Sequence, residues 1–233
     1  MNAIRRVFLG TRQTRRERAV LGAVVLLAGV CLHTVPAFAA ELTTTDADAA
    51  CSNSDLLQTQ FESFTGPLSG IYNQPTGGTE PLLRDGAALT SSQMAPDPPC
   101  VWAGNPSVWT YTLNTTVNTS GYDLSQVNLF HGSPDDGRDG MAIKVEFSTV
   151  AAPDTFATLY DMGGTASDGS TAHDPPSNYG KIGITAVPAD GATGVKKIRI
   201  TFNYTQNQAV PVSELDVLGT ATAIPRRSVL IVR

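Results

Sequence analysis

Residues 121–149, GYDLSQVNLFHGSPDDGRDGMAIKVEFST, decide the fold. Val127 and Leu129 alternate with polar neighbours, and Ile143, Val145 and Phe147 alternate with Lys144, Glu146 and Ser148. Successive side chains of a strand point to opposite sides, so a two-residue apolar period marks a strand with one buried face. Between the runs, His131 to Gly140 is dense in Asp and Gly, residues that favour turns over continued pairing. The stretch predicts two amphipathic strands joined as a hairpin.

The same pattern repeats on both sides of this stretch. From Lys196 to Tyr204, Ile198, Ile200, Phe202 and Tyr204 are expected to face in, with Lys197, Arg199, Thr201 and Asn203 facing out. From Val108 to Thr112 the phase places Trp109, Tyr111 and Leu113 on one face, which makes Trp109 a core residue. Further short runs at Phe61–Phe64, Leu68–Tyr72, Phe156–Tyr160, Tyr179–Val187 and Val212–Val217 bring the count to about eight strands, and no run shows a helical period of useful length. The predicted class is all-β, a two-sheet antiparallel jelly-roll-like sandwich over residues 61–220. The polar residues 40–60 read as a loosely ordered lead-in and 221–233 as a disordered tail, while Asp161 to Asn178 forms a long loop too poor in apolar residues to pack itself.

The first 39 residues read as a signal peptide. Arg5, Arg6, Arg12, Arg15, Arg16 and Arg18 make a positive region, Ala19–Leu32 an apolar core, and Ala37-Phe38-Ala39 a small-residue cleavage site before Ala40. The apolar core falls short of the roughly 20 residues a membrane span needs. Arg5-Arg6-Val7-Phe8-Leu9 is similar to a twin-arginine export box, although the apolar core starts well after it. Val30 precedes Cys31 where a lipidation site wants Gly or Ala. Cleavage removes six of 16 basic and one of 21 acidic residues, so 10 basic face 20 acidic residues and the net charge is −10. A chain this acidic repels phosphate backbones, which argues against nucleic acid and anionic membranes as partners.

Cys51 and Cys100 remain after cleavage. In an oxidising compartment an even pair is expected to join, contributing about 4 kcal/mol by chain entropy; two free thiols are the alternative.

Four pieces in order carry a family resemblance: Leu82-Leu83-Arg84-Asp85-Gly86, Val145-Glu146-Phe147-Ser148, GVKKIRITF at 194–202 and ELDVLG at 214–219. Over residues 82–219 the chain resembles the galactose-binding-like family, the coagulation-factor type C or discoidin β-sandwiches. The long 161–178 loop and the Cys51–Cys100 pairing depart from that family's pattern. The resemblance implies a domain that binds more often than it catalyses, and it implies a structural calcium between Asp85 and Glu214, with oxygen ligands suited to a hard cation; an Asp in an ordinary Asp-Gly turn and a Glu at a strand start are the alternative. Asp135 to Glu146 imitates a helix-loop-helix calcium loop, but Gly137 and Ala142 stand where that loop needs other residues, and Glu146 lies in a strand.

Sugar recognition needs an aromatic face and a few polar groups. Trp102, His131 and Tyr179 lie in or beside predicted loops, and Arg138 could grip a hydroxyl or carboxylate, with pairing to Asp135, Asp136 or Asp139 as the plainer reading. His173 lies in the long loop. The mature chain has two histidines and no G-x-S-x-G, which argues against acyl transfer. Asn114, Asn118 and Asn203 head sequons. Thr222-Ala223-Ile224-Pro225 is similar to the approach to a PEP-CTERM sorting signal, but Arg226-Arg227 follows in place of Glu-Pro. The sequence thus leads to an expected exported, non-catalytic bacterial binding or adhesion module for glycans or extracellular polysaccharide. The alternatives are a structural envelope or biofilm-matrix protein with protein partners and, third, a polysaccharide-active enzyme.

Overall fold

Runs of β-branched and aromatic residues at alternate positions favour extended backbone, where each side chain packs against neighbours on a pleated surface. The computed structural model describes residues 40–45, 49–68, 78–88, 100–132, 138, 140–163, 179–185 and 192–224. Among them the chain forms β1 (Glu41–Thr45), α1 (Leu56–Thr59), β2 (Phe61–Thr65), β3 (Val101–Gly104), β4 (Ser107–Leu113), β5 (Tyr122–Gly132), β6 (Met141–Thr149), β7 (Ala157–Asp161), β8 (Tyr179–Thr185), β9 (Val195–Thr205) and β10 (Ala209–Ala221).

Every strand pair is antiparallel. One sheet runs β1-β8-β5-β10-β3 and the other β2-β4-β9-β6-β7, and a single pairing, Tyr122 with Val195, links them at one corner. This is the two-layer all-β sandwich expected from the sequence. Trp109 pairs with Ile200 and Tyr111 with Ile198, while Val145 and Phe147 pair with the same two isoleucines from the other side. These side chains are buried against Val127, Leu129, Ile182, Ile184, Leu215 and Val217 of the facing sheet. Each such burial contributes about 1.5–3 kcal/mol. Trp109 meets Phe202 edge-on at 4.7 Å and donates its indole N–H to Pro67 O at 3.0 Å.

The hairpin expected over 121–149 does not form. β5 and β6 lie in different sheets, and residues 133–140 carry the chain from one to the other. Alternation identified both strands but not their partners: β5 is flanked by β8 and β10, β6 by β7 and β9. The connection is also much longer than the two-residue turns that close most hairpins.

Residues 40–45 and 49–60 are built onto the sandwich where a loose lead-in was expected. β1 pairs along β8 from Glu41 with Thr185 to Thr45 with Lys181. Asp55 and Gln58 form a capping box, in which Asp55 Oδ1 accepts the Leu57 N–H at 2.6 Å and Gln58 Oε1 accepts the Asp55 N–H at 3.1 Å. That box holds a single helical turn so that Leu56 and Leu57 enter the core. Order therefore begins before Phe61.

Tyr204 departs from the expected phase of β9. A bulge between Ala142/Tyr204 and Ile143/Phe202 shifts the register, so Thr205 is buried and Tyr204 only half-buried. Leu82 to Gly86 forms the end of a 3-10 helix, Glu80–Arg84, followed by a turn with Gly86 at φ +79°. The signal segment, most of the Leu68–Tyr72 run, His173 and residues 225–233 lie outside the described residues.

Candidate functional site

Register brings the sequence-predicted sugar contacts to one end of one sheet. Val212 of β10 lies between Val101 of β3 and His131 of β5; Pro211 faces Trp102, and Gly132 faces Tyr179 at the start of β8. The 133–140 connection leaves from this end, and its Arg138 places the guanidinium carbon 5.7 Å from the centre of the Trp102 ring. That distance suits a cation–π contact. Trp102, His131, Arg138 and Tyr179 thus share the Gly132 end of the β1-β8-β5-β10-β3 sheet.

Trp102 and His131 do not share one surface. Val101 and Ala103 point into the main core, so Trp102 between them points to the outside of the sheet, where it packs with Cys100 and Ala209. Trp102 is 7% exposed, so its ring is covered and not a bare platform. His131 is not a loop residue: it lies within β5, in register with core-facing Val212, and is 1% exposed.

A cleft of about 460 Å³ opens at the opposite end, lined by Thr119, Ser120, Thr149, Val150, Ala151, Thr193 and Gly194. None of the predicted contact residues lines it.

Asp85 and Glu214 do meet, though through the backbone of Asp85. Glu214 Oε2 accepts the N–H groups of Asp85 and Gly86, each at 3.2 Å, while the Asp85 carboxylate turns back to accept the Ala87 N–H at 3.0 Å. The carboxylates gathered with Glu214 are Asp55 and Asp216; one oxygen from each of the three lies within 4.8 Å of the others. All three residues are buried on the outside of β10, where α1 and the 3-10 helix pack. Two signals in the sequence pointed here. Glu214 and Asp216 are two apart on a strand and so share a face, and Asp55 three residues before Gln58 is a helix-start pattern.

The electrostatics of this cluster follow from its burial. Burial pushes Glu214 up from 4.5 to about 8; the Gly86 N–H works against this, and the charges of Asp216 and Asp85 add to it. Burial also raises Asp216 from 3.8 to about 6 against the Ser52 N–H, with the Asp55 charge adding to the rise. Asp55 is raised by burial too, opposed by N–H groups from Leu57 and Val217. Asp55 Oδ2 and Asp216 Oδ1 are buried without a hydrogen-bond partner. Three converging carboxylates with two orphaned oxygens fit a hard divalent cation, which takes oxygen ligands and offsets their mutual repulsion.

Cys51 and Cys100 are free thiols, not the expected disulfide. Each is seated in its own surroundings. Cys51 Sγ accepts the Ala88 N–H at 3.2 Å near Glu214 and Asp216, whereas Cys100 packs with Trp102 and Ala209.

No family model matches the chain, and no curated protein matches it. Among solved structures it is similar to a mutant of the lectin-binding domain of lectinolysin complexed with Lewis b, at 10% identity over 74% of this chain and 99% of that one, with a TM-score of 0.44. It is also similar to the module CBM32-4 from Clostridium perfringens in complex with GlcNAc-α-1,4-galactose, at 14% identity over 71% and 95%, with a TM-score of 0.42. A pectin-binding carbohydrate-binding module is similar at 15% identity over 71% and 95%, with a TM-score of 0.40.

Proposed function

We propose that this chain is an exported, non-catalytic binding module for glycans or extracellular polysaccharide, taking its ligand at the Gly132 end of the sandwich. The observation that carries this reading is the register row that places Trp102, His131 and Tyr179 at one strand end, with the Arg138 guanidinium against Trp102. A rigid strand end with a polar Asp/Gly connection supplies hydroxyl-binding groups on a fixed base. Arg138 is the donor suited to a sugar hydroxyl or a uronic carboxylate. Trp102 positions that guanidinium and is not itself stacked on the sugar.

Calcium belongs to the same reading as a bracing ion and not as a participant in ligand binding. Asp55, Glu214 and Asp216 would hold it, while Asp85 fixes Glu214 through its backbone N–H. A glycan array with and without calcium tests the ligand class, and Arg138→Ala should abolish any binding found while leaving the melting temperature unchanged. Binding untouched by that change would refute the proposed end.

The burial of Trp102 and His131 favours a second reading, a structural envelope or matrix protein whose partner is another protein, since neither ring is bare to a sugar. An array without hits at high protein concentration, followed by a protein partner captured through an Arg138-sensitive contact, would establish it.

A further inference from the structure

We propose that β1 is a self-association edge: two copies of this chain pair antiparallel along Glu41–Thr45 about a two-fold axis at Thr43, joining their β1-β8-β5-β10-β3 sheets into one.

Among the described residues β1 pairs only with β8, so its outer side carries backbone N–H and C=O groups with no strand against them. The other three outer strands are blunted. β3 is four residues long and is followed at once by Asn105-Pro106. β2 bulges at Glu62, between its pairings through Phe61 and Ser63, and β7 bulges at Leu159, between its pairings through Tyr160 and Thr158. β1 pairs through five consecutive residues with no register shift, and Glu41 is the one charge it carries. A flat edge with neither lysine, proline nor bulge is a template for another strand.

This edge fits a copy of itself. Leu42 and Thr44 stand in register with core-facing Ile184 and Ile182, so Glu41, Thr43 and Thr45 face outward with Thr185, Gly183 and Lys181. A two-fold at Thr43 sets Thr43 against the partner's Thr43, Leu42 against the partner's Thr44 and Glu41 against the partner's Thr45. Each face then meets its like, and Glu41 meets no charge of its own sign. Thr45 lies beside Lys181, so Lys181 comes two strand spacings, about 10 Å between backbones, from the partner's Glu41 on the same face. Within one protomer the same two residues are about 14 Å apart, four positions along adjoining strands. The opposite charges therefore meet across the axis, twice by symmetry.

Sedimentation velocity of the full chain across the micromolar range tests this, and the expected result is a monomer–dimer equilibrium with no larger species. Thr43→Lys sets two like charges face to face on the axis and should weaken the dimer by about tenfold or more. Thr43 Oγ1 also donates to the Gly183 carbonyl at 3.2 Å, so circular dichroism checks that this variant keeps its fold. Glu41→Lys should weaken the dimer as well, and adding Lys181→Glu should restore it, a rescue that loosening of β1 would not give. Thr43→Cys should cross-link to its own copy under mild oxidation, since opposed Cα atoms about 4.5–5.5 Å apart suit a disulfide. Val117→Cys, at a site 83% exposed but away from β1, should not. Should Thr43→Lys fail to fold, the charge exchange and the cross-link decide. A chain that stays monomeric throughout overturns the proposal, and so does a dimer that ignores the charge exchange and leaves Thr43→Cys without a cross-link.

Discussion

Ser52 donates its backbone N–H to Asp216 Oδ2 at 2.9 Å, across 164 positions of sequence. This bond ties the segment before α1 to the last strand, and it ends on a carboxylate that shares a buried site with Glu214 and Asp55. Much of what distinguishes this sandwich lies around that contact.

The first prediction concerns the alkaline side in the absence of a cation. Glu214 is raised to about 8 and Asp216 to about 6, so the folded chain holds protons that the unfolded chain has already released. Their contribution is fully present below the ordinary values and is lost as pH rises through about 6 and then about 8. In EGTA the melting temperature should fall across that window, and Glu214→Gln should flatten the upper part of the fall. A melting temperature in EGTA that climbs between those values would contradict the burial assigned to this cluster.

Glu146 predicts the opposite dependence. Burial raises it, but hydrogen bonds from Arg199 at 2.7 Å and Lys144 at 3.1 Å outweigh burial and hold its carboxyl below the ordinary 4.5. Its contribution is present above 4.5 and is lost as pH falls through the depressed value. Glu146→Gln should remove that acid-side loss at a cost of about 1 kcal/mol at neutral pH, because both cationic partners are partly exposed. Arg199→Ala should cost more, about 2 kcal/mol, since it also removes the guanidinium stacked 3.9 Å from the Phe156 ring centre. Urea denaturation of the two variants ranks them, and the reverse order would sink the assignment.

Period-two patterning made the strands legible because burial of one face is a local constraint written into every second residue. Ile198, Ile200 and Phe202 are buried as expected. The phase failed only at Tyr204, where the extra residue of a bulge is set by the partner strand and not by β9 itself. Strand partnership was not legible: nothing within 121–149 says that β5 and β6 belong to different sheets. The carboxylate cluster was legible in part: Glu214 and Asp85 were singled out together, and they meet through the Asp85 backbone N–H and not through its side chain. Asp55 was hidden because a polar, aperiodic stretch reads as loose even when two leucines and a capping box anchor it. The burial of Trp102 and His131 was hidden as well, because it depends on how neighbouring strands align.

The two thiols give a prediction about redox state. Cys100 is buried and pushed up to about 12 by that burial, while Cys51 is half-buried and raised by burial against the Ala88 N–H. A thiol so raised carries little thiolate at neutral pH and reacts slowly. Maleimide should label Cys51 slowly and Cys100 not at all in the folded chain, and both at once after unfolding without reductant. Mass spectrometry finding either residue blocked by a disulfide in the unfolded, unreduced protein would disprove the free-thiol state.

Leu57 tests whether residues 40–60 belong to the folded domain. Its side chain is fully buried in the main core cluster, placed there by the Asp55–Gln58 box. Leu57→Ala should cost about 2–5 kcal/mol, the range for removing a fully enclosed leucine and leaving a cavity. Val117→Ala is the matched control, since Val117 is 83% exposed and should change stability by less than about 0.5 kcal/mol. Asp55→Ala removes the cap from Leu57 N and the bond to Val217 N, and should cost about 1 kcal/mol or more in calcium-free buffer. Partial compensation there is expected from relief of the repulsion with Asp216, so the two effects separate on adding calcium: the wild type gains stability and the variant does not. Urea midpoints with an unchanged slope would assign these losses to the folded state. A Leu57→Ala chain as stable as the Val117→Ala control would mean that the segment contributes nothing to the core.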